Sequence, residues 1–323
     1  MKLAAAALTV ALAGTLGCRS EAREQTRAQT QAGDGGAAEW WCGAVKDPAR
    51  VVEHKRLGAS GQPLRLGLVA DAKEPLPATL QNLERFAAAF QKERVHAVIA
   101  LGGLGSTEDE IAKVLLALKP SGSPILALPG DREPEGAFHA AVARAKKSGL
   151  DVIDLADVRA VAGDGLEVIS LPGYRFPSYL GARAGGCRYR PSDVDALAAI
   201  AQTLDARAAH PPRILVAHTP PRGVGPSALD WALGGANIGD PELARALEKL
   251  NLRWGAFAHV DEAGGRGWNG HAPVEAGAQS PRLYVNAGAA DSVPHDLAGG
   301  AIARGQAALL QIDGEQASFR VIP

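Results

Sequence analysis

Between Leu64 and Leu128 three short apolar runs alternate with two helical patterns, and this alternation restricts the fold more than any other feature. The runs are Leu64–Ala70 (LRLGLVA), Val95–Leu101 (VHAVIAL) and Pro124–Leu128 (PILAL). Between the first two, Leu80, Leu83, Phe86, Ala87 and Phe90 recur at the helical period, which predicts a helix over Ala78–Glu93. Thr107–Leu118 predicts a second helix, with Ser106 or Thr107 as its cap and acids in its first turn, and Gly136–Ser148 a third. Short links between such elements imply right-handed crossovers and a parallel sheet.

Further along, Val158–Val161 and Leu166–Leu171 read as a hairpin, Ser192–Ala208 as a helix and Arg213–Ala217 as a strand. A helix over Pro241–Leu250 and a strand over Trp254–Ala258 follow. Arg282–Asn286, Ala307–Ile312 and Ala317–Ile322 predict closing strands. Pro172–Pro191, rich in Gly, Arg and Tyr, reads as a long loop. The apolar fraction of 46% and a net charge of −1 exclude a wholly disordered chain and give no electrostatic footprint for a nucleic acid.

In open α/β sheets ligands bind beyond the carboxyl ends of the strands. Polar groups cluster at those ends, one per strand: Asp71-Ala72-Lys73, Gly102-Gly103, Gly130-Asp131-Arg132-Glu133, His218-Thr219-Pro220-Pro221 and His259-Val260-Asp261. This order resembles the calcineurin-like metallophosphoesterase family, whose motifs run Asp-x-His, Gly-Asp, Gly-Asn-His-Asp/Glu, a His often followed by Pro-Pro, and Gly-His-x-His. Tyr284–Gly288 is similar to the family's strand and Asn-x-Gly turn. The resemblance covers residues 64–323 and implies a metallophosphoesterase-like α/β sandwich of mixed β-sheets flanked by helices.

The departures decide the functional expectation. The family's two-metal chemistry needs a bridging carboxylate, and that position is Gly103. Lys73 stands at a ligand His, Asp131 at the Asn, Arg132 at the acid-catalytic His, and Asp261 at the last His. A guanidinium cannot release a proton near neutrality. The resemblance leaves Asp71, His218 and His259 unaltered, and Lys73 and Arg132 are expected to pair with Asp71, Asp131 and Asp261 rather than admit metal. This predicts a phosphoesterase fold with weak or lost hydrolysis and no cofactor, whose pocket is salt-bridged or binds a phosphate-like anion through Lys73, Arg132 and His218. The alternative is an active phosphomono- or diesterase with one Mn, Fe or Zn ion on Asp71, Asp131, His218, His259 and Asp261. His218 and Arg132 occupy the catalytic positions.

At the N-terminus, Lys2 precedes the apolar run Leu3–Leu16, too short to span a bilayer and placed as a signal-peptide core. Thr15-Leu16-Gly17-Cys18 resembles the lipobox of bacterial lipoproteins. That resemblance implies a signal peptide over 1–17, a lipid on Cys18, a polar tether to residue 38, an extension over 39–63, and anchorage in the bacterial cell envelope at the outer membrane or periplasmic face. Ordinary secretion is the alternative. Cys42 and Cys187 then remain, as a bridge or as two separate thiols. Trp40 and Trp41 are expected to plug against the domain. His54, His96, His139 and His210 read as surface or capping residues, while His271 and His295 fall near the expected site rim.

Overall fold

The strands alternate their side chains between two faces, and in this protein both faces of both sheets are apolar. Leu66 and Leu68 point one way with Ile99, Leu101, Ile214, Val216, Val285 and Leu310, forming a buried layer between two sheets. Val69 and Val98 point the other way, onto Phe86, Phe90, Ile111, Leu115 and Phe138 of three helices. Leu215 and Phe257 of the second sheet face Leu197, Ile200, Leu204, Leu243 and Leu247 of further helices. Such near-continuous apolar runs are what a parallel sheet covered on both faces requires. The outcome is a four-layer helix–sheet–sheet–helix sandwich.

The computed structural model describes residues 40–44, 46–58, 61–176 and 185–323. The expected signal peptide, Cys18 and the tether lie outside the described residues. Ala38–Pro323 forms one compact unit. Among the described residues no helix is long and apolar enough to cross a membrane.

In chain order the main elements begin with β1 (Val51–Glu53), β2 (Leu64–Val69), α1 (Pro77–Glu93), β3 (Ala97–Ala100), α2 (Glu108–Ala117), β4 (Ile125–Ala127), α3 (Glu135–Lys147) and β5 (Val152–Asp154). There follow β6 (Ala160–Ala162), β7 (Glu167–Leu171), α4 (Pro191–Asp195), α5 (Leu197–Asp205), β8 (Arg213–Ala217), α6 (Pro241–Lys249) and β9 (Trp254–Phe257). The chain closes with β10 (Gly267–Trp268), β11 (Pro273–Val274), β12 (Leu283–Asn286), β13 (Ala307–Asp313) and β14 (Gln316–Ile322). The first sheet has the order β14-β13-β2-β3-β4-β5 and the second β1-β6-β7-β8-β9-β12-β10-β11. β2 to β5 are parallel, as are β7, β8, β9 and β12.

The expected helix Ser192–Ala208 is two helices jointed at Ala196. There the Ala199 N–H reaches back only three residues, to the Ala196 carbonyl, which tightens the turn. The segment read as an N-terminal extension supplies β1, which pairs with β6 at the edge of the second sheet. Thr107 caps α2 as a capping box: its hydroxyl accepts from Glu110 N at 3.3 Å, and the Glu110 carboxylate accepts from Thr107 N at 3.1 Å.

Gly67 shows how tightly helices sit on the first sheet. A Cβ there would lie 2.8 Å from ring carbons of Phe90 on α1. Gly67→Ala is therefore expected to destabilise the fold by about 1–3 kcal/mol, the usual cost of overpacking. Urea unfolding of the two proteins measures it, and equal midpoints would contradict the packing described.

Candidate functional site at the strand ends

Each polar cluster singled out in the sequence follows the carboxyl end of a strand: Asp71 and Lys73 after β2, Gly102-Gly103 after β3, Asp131 to Glu133 after β4, His218 after β8, and His259 and Asp261 after β9. Hydrogen bonds draw the two sheets together at this edge: Ala290 N donates to Ala70 O at 2.8 Å and His218 Nδ1 to Leu101 O at 2.8 Å, while the bond from Asp71 N to Gly102 O at 2.9 Å extends the pairing of β2 and β3 within the first sheet. Asp71, Lys73 and His259 adopt left-handed backbone conformations, with φ of 49°, 53° and 71°. Non-glycine residues reach that region only when their surroundings over-determine it.

Two polar networks fill the site. In the first, Lys73 Nζ is held by a short bond to Asp261 and lies 3.3 Å from Asp291 Oδ2. His295 completes it, with Nε2 2.7 Å from Asp291 and Nδ1 3.5 Å from Asp261. Burial works against the charge on Lys73, but Asp261, Asp71 and Asp291 outweigh it and hold the ammonium well above the usual amine range.

The second network joins Asp131, His218 and His259. His218 is fully buried, and its Nε2 lies 3.3 Å from Asp131 Oδ1 and 3.2 Å from His259 Nδ1. Burial opposes the His218 charge too, yet Asp131, Asp71 and Glu133 keep its pKa at about 10. The His259 pKa falls to about 4, through burial and the neighbouring His218 charge. The pair thus reads as an imidazolium donating to a neutral imidazole. Asp131 is also buried, but the His218 hydrogen bond holds its carboxyl well below the usual range. Asp71, accepting from His259 N at 3.1 Å, is pushed up to about 7, chiefly by burial.

Arg132 does not pair with Asp71 or Asp131 as the sequence suggested. Its Nη2 lies 3.0 Å from Glu74 Oε1, at the outer lip of the same loop cluster. Its Nε is buried and has no hydrogen-bond partner among the described residues. Glu133, the last residue of that motif, is a brace: its carboxylate accepts from Gly130 N at 2.8 Å and, more closely, from Leu104 N. Asn286 plays the corresponding part at the end of β12, donating to Leu229 O and Val260 O and accepting from Gly288 N at 2.9 Å.

A dinuclear metal centre does not fit these residues. Gly103 offers no donor, and a Cβ there would lie 2.2 Å from Asp71 Oδ1 and 2.9 Å from Asp71 Cα. Lys73 places an ammonium where a ligand is required. A smaller donor set does exist: Asp131, His218 and His259 each present one ligand atom within 4.8 Å of the others. Asp71 and Asp261, also expected as ligands, fall outside that trio.

Sequence reasoning missed Asp291, the second partner of Lys73. It lies three residues past the Asn-x-Gly turn in no motif, and only its pairing across the sheets reveals it. His271 is an exposed turn residue whose N–H donates to Asn269 Oδ1. Cys42 and Cys187 are joined as a disulfide with Cα atoms 5.4 Å apart. Trp40 is buried against Phe138 and His139, and Trp41 lies under the guanidinium groups of Arg188 and Arg190. A cavity of about 730 Å³ lies elsewhere, beside Arg213, Arg253 and Trp254 at the amino ends of β8 and β9.

The fold is metallophosphoesterase-like: mixed sheets in a sandwich flanked by helices, with the polar loops at the strand ends. No protein-family model matches the chain, and no curated protein matches it in sequence. Among solved structures it is similar to TT1561 of Thermus thermophilus, with a TM-score of 0.55 and 14% identity over 80% of this chain and 99% of that one. It is also similar to GAP50, the anchor in the inner membrane complex of Plasmodium, with a TM-score of 0.50 and 12% identity over 80% and 84% of the chains. A dimetal phosphatase from Danio rerio gives a TM-score of 0.49 and 11% identity, covering 80% and 98%.

Two outcomes follow for the site. Gly103→Asp, which restores the family's bridging carboxylate in sequence, is expected to destabilise the protein by more than about 1 kcal/mol through steric conflict and a left-handed φ of 67°. A thermal melt unaffected by the substitution would contradict this. The pH dependence of stability carries the second. The folded-state pKa of His218 is raised from 6.5 to about 10, so its contribution is full below pH 6.5 and is lost as pH rises through about 10. Denaturant unfolding between pH 6.5 and 10 should show that decline in the wild type and a shallower one in His218→Gln.

Proposed function

We propose that this chain is a cell-envelope lipoprotein in which the metallophosphoesterase fold has given up efficient phosphoester hydrolysis, the strand-end site serving as a salt-bridged scaffold with one anion contact. The observation that carries this reading is the Lys73 ammonium held between Asp261 and Asp291, beside a Gly103 that has no room for a side chain. Two-metal hydrolysis relies on carboxylate and imidazole donors that clamp both the attacking and leaving oxygens. Here a fixed cation already neutralises the acids that would attract metal.

The anion contact is narrower than the sequence suggested. Lys73 is engaged by two carboxylates, and both His218 nitrogens are engaged inside the protein. Arg132 keeps a buried Nε–H that has no hydrogen-bond partner among the described residues. A guanidinium of this kind suits a phosphate-like ligand, since it stays charged and forms directed hydrogen bonds. The Arg19–Ala38 stretch, polar and without apolar periodicity, supports a tether between the lipid on Cys18 and the folded body. That GAP50, on a similar fold, is described as an anchor supports a holding role over a catalytic one.

A second reading rests on the Asp131–His218–His259 trio, which could hold one Mn, Fe or Zn ion and support slow hydrolysis. It requires His218 to lose the proton that three surrounding acids hold in place.

One experiment separates the two. The purified chain is incubated with Mn²⁺, Fe²⁺ or Zn²⁺, then assayed on an aromatic phosphodiester and titrated with inorganic phosphate. The first reading expects no turnover, and phosphate binding that weakens about tenfold on Arg132→Ala, the loss of one charge-assisted contact. Turnover abolished by His259→Ala would establish the mononuclear enzyme instead.

A further inference from the structure

His139 is one of the histidines whose sequence context suggested only a surface role, and its surroundings are unusual. It lies on α3, the helix that follows the Gly130–Glu133 loop, and its Nδ1 is 2.7 Å from Asp154 Oδ2 at the end of β5. The other Asp154 oxygen accepts from Ala156 N at 2.9 Å and from Asp157 N at 3.4 Å. This folds the β5–β6 turn back on itself and returns the Asp157 carboxylate toward the imidazole. One ligand atom from each of His139, Asp154 and Asp157 lies within 4.8 Å of the other two.

Charge balance at this cluster is incomplete. Glu135, one helical turn before His139, adds its field to those of Asp154 and Asp157. The Arg50 guanidinium reaches the Asp157 backbone carbonyl at 3.4 Å rather than the carboxylate, and the nearby Arg159 is engaged by the Gly43 and Ser170 carbonyls. Among the described residues the Asp157 carboxylate makes no hydrogen bond or ion pair. Three acids thus surround a single imidazole. Asp154 is buried and fixed, His139 is half-buried, and Asp157 is exposed and free to adjust. The ring is also held from behind, because Trp40 meets it edge-on at 5.5 Å between centroids.

We propose that His139, Asp154 and Asp157 form a divalent-cation site, separate from the strand-end pocket, that takes a borderline ion such as Zn²⁺. One imidazole and two carboxylates match the donors that such ions accept, with water completing the coordination. The donors come from α3 and from the turn after β5, so the ion cross-links two elements and braces the surface on which Trp40 rests. Its role is structural.

Zn²⁺ titrated by calorimetry into the purified, tag-free chain tests this. The expected result is saturable binding of one ion, weakened about tenfold or more by Asp157→Asn and removed by His139→Gln. His218→Gln should leave it intact, and Zn²⁺ should change the tryptophan fluorescence of the wild type but not of Trp40→Phe. Should His139→Gln fail to fold, Asp157→Asn decides alone, since that side chain is exposed and its loss disturbs no packing. No saturable uptake by the wild type would overturn the proposal. So would binding that survives Asp157→Asn but is lost in His218→Gln, which assigns the ion to the strand-end trio.

Discussion

The pairing of Lys73 with Asp261 and Asp291 is the interaction around which the site is arranged. Lys73 comes from the first sheet, and its two partners follow β9 and β12 of the second, so one ammonium stitches together the edges of both. Its own left-handed backbone is fixed by a hydrogen bond from Lys73 N to Gly103 O at 2.7 Å. Breaking one side of such a half-buried triad leaves uncompensated charge, which costs far more than the triad gains over an apolar substitute. The network therefore fixes the geometry of the strand ends more than it adds to stability.

The neighbouring Asp131–His218–His259 network follows a different logic. Two imidazoles this close cannot both carry charge, and the surrounding acids decide which one does. His218, facing Asp131, Asp71 and Glu133, keeps its proton, and its neighbour His259 gives way. Interacting groups of this kind titrate as a unit. The three side chains that could serve as metal donors are linked to one another by hydrogen bonds, while the glycines beside them keep the backbone close: a Cβ on Gly130 would lie 2.7 Å from the His218 ring.

Much of this was legible in the sequence because the signals were local. Strand and helix periodicity placed the main layers, Ser106 or Thr107 followed by acids marked the start of α2, and the chain order of Asp71, Asp131, His218 and His259 located the site. Three things escaped for one shared reason, that they depend on pairing distant in sequence. Asp291 meets Lys73 across the sheets, Arg132 turns outward to Glu74, and His139 acquires acids from the turn after β5. Short strands such as β1 and β5 carry too few residues for a period to register, and they exist because a neighbour offers an open edge. Composition alone left Cys42 and Cys187 as either a bridge or two thiols. The structure brings them together by laying Trp40 alongside Cys187.

That disulfide also shortens the covalent route through the molecule. It closes a loop spanning 145 positions that includes β1 to β7 and all of the first three helices. Along the covalent chain, the shortest path from Cys42 to the C-terminus runs through the sulfurs to Cys187. Lys73, Gly103, Arg132 and His139 all sit inside the loop. β8, β9 and the strands after them lie outside that loop, and they are tied back to it through the pairing of β13 with β2 and of β8 with β7.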